Sequence, residues 1–240
     1  MLFKTRSEGL RDTSERFFIV LVLVYFTYAW MAATVSLPIL SDISATLHVP
    51  LRQIRVALSY YMFAFAASQL VWGTISDRFG RKNLVMLSLL ITVLGTLIAG
   101  FSNHYTSYVI SRVIEGVGAG AAPPLMRSMY TDRFSGKRLA ATLSLISISF
   151  AISPTASAWL ASYVSVWFGW HGVYYAMVML GVILMGVLFI FLPETVKEKT
   201  SKLSIKTVAR HYVACLKNKR FLAGIISFAL TGGSVVGGYL

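Results

Sequence analysis

Charge is what this sequence has least of. Only 13% of its 240 residues are Asp, Glu, Lys or Arg, against 56% hydrophobic ones. A soluble domain carries about 25% charged residues. Half that share leaves too little polar surface to wrap a body of this size in water. The same scarcity excludes a disordered chain. Cysteine is almost missing as well, and a lone Cys215 cannot make a disulfide scaffold. His48, His104, His171 and His211 sit in loops or at helix ends without metal-ligand spacing. No nucleophile–base set, phosphate-binding glycine loop or zinc pattern is visible. Neither an enzyme nor a bound metal or cofactor is therefore expected. Acidic residues number nine against 22 basic ones, a net charge of +13 whose meaning depends on where it lies.

What is there in abundance is long uncharged apolar runs, the mark of bilayer-spanning helices. They cover Phe17 to Pro38, Val56 to Ser76, Leu84 to Phe101, Leu139 to Phe168 and Gly172 to Leu192. A further run, Tyr105 to Met126, is interrupted by Arg112 and Glu115 and counts as the fourth of six spans. A seventh run begins at Phe221 and is still uncharged at Leu240. The ten-residue alternation of a membrane barrel is absent. The first run is too long for a signal-peptide core and lacks a small-residue cleavage site, so it stays in the membrane. The expected fold is an all-α polytopic membrane protein.

Its organisation follows: a basic segment over 1–16, a six-helix bundle over 17–192, a basic linker over 193–220, and the start of a second bundle over 221–240. Alternate connections hold 19 of the 22 basic residues, which places the N-terminus and the linker in the cytoplasm. The positive charge is thus a topology label, aided by anionic lipid, and no nucleic-acid partner is expected. The linker, with Leu203, Ile205, Val208 and Tyr212 among its charges, reads either as an amphipathic surface helix or as a solvated tether.

An ionisable residue inside the bilayer is a functional hypothesis by default. At 1.5 Å per residue, Arg112 lies roughly 10 Å deep and Glu115 roughly 15 Å deep, near the midplane. Three residues apart, they share a helix face and can pair. Two readings stay open. The pair neutralises itself and orients the span, or Glu115 takes up and releases a proton while Arg112 tunes it. Gly116 and Gly120 follow as a small-xxx-small pattern for close helix approach, and Pro123 and Pro124 bend or break the inner end.

The end of the second span and the turn after it read Gly73-Thr74-Ile75-Ser76-Asp77-Arg78-Phe79-Gly80-Arg81-Lys82. This G-x-x-x-D-R-x-G-R-K pattern resembles the cytoplasmic signature between helices 2 and 3 of the major facilitator superfamily. Physically, Gly73 permits close helix contact, Gly80 suits a tight turn, Asp77 can face a helix N-terminus or an Arg, and the basic residues are expected to stay in water. The resemblance implies that Gly73, Asp77, Arg78, Gly80, Arg81 and Lys82 form a latch between two six-helix halves. Arg112-x-x-x-Gly116-x-Gly118-x-Gly120 is similar to the family's R-x-x-x-G-x-G motif, with Glu115 where a Gln often stands. Gly169-Trp170-His171 resembles its G-W-R, and Leu192-Pro193-Glu194-Thr195 a familiar end of helix 6. A second turn, Thr131 to Arg138, echoes the first as shared cytoplasmic turn chemistry.

Ser153-Pro154-Thr155-Ala156-Ser157-Ala158 looks like a degraded antiporter motif that has kept its proline, and it resembles the bacterial drug:proton antiporters of the bicyclomycin and chloramphenicol resistance type. Pro154 bends the long fifth span and small neighbours let it pack tightly. Candidate substrate-facing side chains are Tyr25, Tyr28 and Trp30 on span 1, Met126 on span 4 and Phe150 on span 5. The resemblance implies proton-coupled efflux of a small amphipathic compound across a bacterial inner membrane, with the proton gradient in place of a cofactor. The alternative is a membrane protein that binds without transporting, or an inactive half. The expected partners are that small molecule, the bilayer, and either a missing C-terminal six-helix half or a second chain. A fragment, a truncated product and a self-pairing half all fit this length.

Overall fold

The computed structural model describes the backbone of residues 2–196 and the side chains of 14–196 except Asp77. The chain divides after Lys199. The linker from Lys197 onward and the seventh run lie outside the described residues.

Among these residues the structure is all helical. Helix α1 covers Leu2–Thr34, a short 3-10 turn covers Leu37–Ile39, and α2 covers Leu40–Thr46. Then come α3 (Leu51–Phe79), α4 (Arg81–Gly100), α5 (Tyr105–Ala119), α6 (Ala122–Arg133) and α7 (Gly136–Phe191). Pro38 lies in the 3-10 turn, where the first apolar run ends and α2 begins. Four helical stretches are long and apolar enough to cross a membrane, and the last, at 56 residues, is long enough to cross twice. It does turn back. Gly169 takes φ 65° and ψ −175°, a conformation open to glycine, and breaks α7 between residues 168 and 170. Spans five and six are therefore the two arms of α7.

The fourth span differs from the expectation in one detail. Helix α5 stops at Ala119 and α6 starts at Ala122, so the interruption falls at Gly120–Ala121 and the prolines begin the new helix. There the Ala121 N–H donates to Gly118 O, leaving the Val117 carbonyl without its usual partner. The Trp72 indole N–H, from α3, donates to that carbonyl at 2.8 Å. A buried backbone acceptor is thereby satisfied by a neighbouring helix.

Helix α5 is the centre of the bundle, wedged between α3 and α4, while both α1 and α4 pack along α7. A Cβ on Gly116 or Gly120 would strike the α3 backbone at Tyr61 or Phe65. These glycines set the α3–α5 approach. Helix α7 continues through Pro154, and Thr34 on α1 meets Ser157 in its next turn at 2.8 Å.

Candidate transport site and basic-end turn

Arg112 and Glu115 are both fully buried, and they form an i,i+3 ion pair through Nη2 and Oε2. Two charges in an apolar bundle are tolerated only where polar groups surround them. Here the surroundings come from α5 itself and from four other elements. Arg112 Nη1 donates to Ser36 Oγ at 3.1 Å, on the link after α1. Ser36 Oγ in turn meets the Tyr174 hydroxyl at 2.8 Å, and Tyr174 meets the Tyr108 hydroxyl at 3.0 Å. The guanidinium lies over the rings of Tyr174, Tyr108 and Tyr61 at 4.9, 5.5 and 5.8 Å. This is a three-tyrosine cage for a cation.

Glu115 faces α4. Gly95 leaves room for its backbone, and the Thr96 hydroxyl donates to Oε1 at 2.7 Å. The same hydroxyl lies 2.9 Å from the carbonyl of Thr92. One hydrogen serves one acceptor at a time. An ionised Glu115 receives it. A protonated Glu115 donates to Thr96 Oγ, which then turns its hydrogen to Thr92. Both protonation states find a partner without moving a helix.

The aromatic candidates separate. Tyr25 is buried and bonded to Ser88 at 2.7 Å, Tyr28 donates to the Met177 carbonyl at 3.1 Å, and Met126 is fully enclosed. All three are turned into the bundle. Trp30 is half-buried and Phe150 is 41% exposed, and their rings meet edge-on at 4.7 Å. Phe65 on α3 joins Trp30 at 5.8 Å, and Phe26 backs Phe150 at 5.2 Å. Trp30 and Phe150 thus form one open aromatic patch, backed by the buried Phe65 and Phe26, near the middle of the first and fifth apolar runs. Phe65 lay among many apolar residues of α3, and nothing local marked it.

At the other functional region, the Gly80 turn (φ 91°) joins α3 to α4. Its basic residues do not all stay in water. Arg81 is buried: Nε pairs with Asp132 at 3.1 Å, at the end of α6, and Nη1 donates to Ser76 Oγ. Asp132 and Ser76 replace the water that the guanidinium leaves. The Arg81 N–H donates to Glu194 Oε1 at 2.9 Å, and Lys82 Nζ donates to the Phe189 carbonyl at 2.8 Å. The two helices exchange caps. Glu194, just past α7, sits at the positive end of α4, while Lys82 on α4 sits at the negative end of α7. A Cβ on Gly80 would collide with the Glu194 carboxylate.

Arg78 is exposed, with its guanidinium over Phe79, and Gly73 lies in contact range of Pro124. The side chain of Asp77 lies outside the described residues. Glu15 pairs with Arg138 at 2.8 Å, so the Glu15 turn of α1, the start of α4, the end of α6 and both ends of α7 meet at one end of the bundle.

Comparison with known proteins agrees with this geometry. The family model of the Major Facilitator Superfamily matches residues 19–240. A bicyclomycin resistance protein homolog of Haemophilus influenzae is 27% identical over 211 residues, covering 83% of this chain and 53% of its own. Multidrug resistance protein D of Escherichia coli is 25% identical over 243 residues, covering 96% and 60%. The chain thus spans about half the length of these curated relatives. Among solved structures, a bacterial homolog of the human lysosomal transporter Spinster, inward-facing and unoccupied, superposes with a TM-score of 0.68 at 14% identity, covering 81% of this chain and 46% of its own. A human organic anion transporter gives 0.65 at 18% identity, covering 81% and 52%. These two likenesses concern the fold.

Proposed function

Since the chain belongs to the Major Facilitator Superfamily, we propose that it works as part of a proton-coupled secondary transporter that expels small amphipathic compounds by alternating access. In this reading it lies in a bacterial inner membrane with the basic end, and its N-terminus, in the cytoplasm. Glu115 carries the proton and Arg112 holds its charge in place. The observation that carries this reading is the Thr96 hydroxyl shared between Glu115 and the Thr92 carbonyl, because it accommodates both protonation states of a buried acid.

Substrate meets the open patch of Trp30 and Phe150, which buried Phe65 backs and whose ring faces and edges suit planar apolar groups. Gly73 to Lys82 acts at the basic end. Gly80, Arg81 and Lys82 fix the turn to α6 and α7, leaving the exposed Arg78 for a second bundle or chain. The drug-resistance names of the relatives support efflux of such compounds.

Proteoliposomes holding the protein, with bicyclomycin and ethidium as probes, test the reading. Probe movement should follow an imposed pH gradient and collapse when an ionophore dissipates it. In Glu115→Gln, gradient-driven movement should fall at least tenfold while probe exchange at equal pH persists. Gradient-driven movement intact in Glu115→Gln would overturn the proton role. No movement of any probe, with binding retained, would favour a membrane protein that binds without transporting.

A further inference from the structure

We infer that the basic end of the bundle carries a binding site for an anionic phospholipid, centred on Arg133. A cleft of about 210 Å³ opens there between Ser14, Phe17 and Phe18 of α1, Arg133 of α6, and Phe191 and Pro193 at the end of α7. Its two halves differ in chemistry. Arg133 and the Ser14 hydroxyl form the polar half. Phe17 and Phe191, 46% and 53% exposed, meet edge-on at 5.5 Å and form the apolar half.

Arg133 is exposed, and among the described residues it makes no ion pair. Its guanidinium rests on the Phe18 ring at 4.5 Å. That contact fixes the charge beside the cleft while leaving its N–H donors available. The neighbouring basic residues are otherwise employed: Arg81 holds Asp132 and Arg138 holds Glu15.

The level in the membrane matches a phospholipid. Phe17 opens the first apolar run and Phe191 nearly closes the sixth, so the cleft straddles the boundary between hydrocarbon and headgroups. A phosphate diester at Arg133 and Ser14 puts an acyl chain against Phe17 and Phe191. Charge selects the headgroup. The chain segments nearest in sequence, 1–13 and 197–220, carry three and eight basic residues against two and one acidic ones, so they compete poorly for a cationic site. Anionic lipid is the complementary occupant.

Native mass spectrometry of the purified chain tests this. The probes are dioleoyl phosphatidylglycerol, dioleoyl phosphatidylcholine and inorganic phosphate. The wild type should retain one phosphatidylglycerol under activation that strips phosphatidylcholine, and millimolar phosphate should not displace it. Arg133→Gln should lower that retained fraction at least fivefold and Phe191→Ala about twofold. Arg127→Gln, an exposed charge on the same helix but outside the cleft, should leave it unchanged. Arg133→Lys, which keeps the charge, should retain more lipid than Arg133→Gln. Equal retention in Arg133→Gln overturns the site, as does equal retention of phosphatidylcholine. Displacement by phosphate would reduce it to a simple anion site and overturn the lipid assignment.

Discussion

The middle of the bundle and its basic end both hold charged residues, but they hold them in opposite ways. In the middle, Arg112 and Glu115 are cut off from solvent and bond to Ser36 and Thr96, with the rings of Tyr61, Tyr108 and Tyr174 around the guanidinium. At the basic end, Lys82, Asp132 and Glu194 lie partly in water around a buried Arg81, and the four act on helix termini or on each other. The first arrangement is costly to disturb, and in the proposed function it is the one that changes with a proton. The second is a set of small contributions that fix geometry.

The largest test of that contrast is removal of one central charge. Glu115→Ala leaves a buried guanidinium unpaired and should cost about 3–5 kcal/mol, read as a lower midpoint in denaturant titration of the purified protein. The double variant Arg112→Leu with Glu115→Leu should be more stable than Glu115→Ala alone, because it leaves no orphan charge. Equal stability of all three would place the pair in a wetter site than the structure shows. Next in size is Gly116→Val, which forces a side chain into the α3 backbone and should cost about 1–3 kcal/mol by overpacking. Gly186, which has nothing nearby, should accept the same change with less loss.

Smaller effects are expected at the basic end. Glu194→Gln and Lys82→Met each remove one exchanged cap and should cost about 0.5–1 kcal/mol. Measured with both changes together, the losses should fall short of their sum if the caps hold the same pair of helices. Full additivity would separate them. The smallest expected change in stability is at the aromatic patch. Phe150→Ala should weaken probe binding several-fold, measured by ethidium fluorescence, while leaving the unfolding midpoint nearly unchanged. Tyr25→Ala, inside the bundle, should do the reverse.

The spans were legible because the bilayer imposes length and apolarity on every crossing. The Gly169 reversal could be read from Gly169-Trp170-His171, where two apolar runs come close to merging. The fourth span was legible as an apolar run in spite of its two charges, but its division into two helices was not. Helix α5 and α6 are each too short to stand out, and the break at Gly120–Ala121 precedes the prolines that suggested it. Arg112 and Glu115 announced themselves as charges at depth. Their partners did not. Ser36 is 76 positions away from Arg112, and one serine or tyrosine in an apolar helix has no local mark until packing brings it to a charge. Arg81 was read as solvated because the Asp132 and Ser76 that bury it lie on other turns of the fold. The linker and the seventh run lie outside the described residues.

In the proposed function Glu115 takes two protonation states, and Thr96 serves both. Infrared difference spectroscopy between acidic and alkaline buffers reads this directly, without a substrate. A carbonyl band of a protonated carboxylic acid should appear on acidification, vanish in Glu115→Gln, and shift in Thr96→Val as its hydrogen bond is lost. A band that persists unchanged in Glu115→Gln, or a Glu115 that stays ionised across the whole range, would contradict the account.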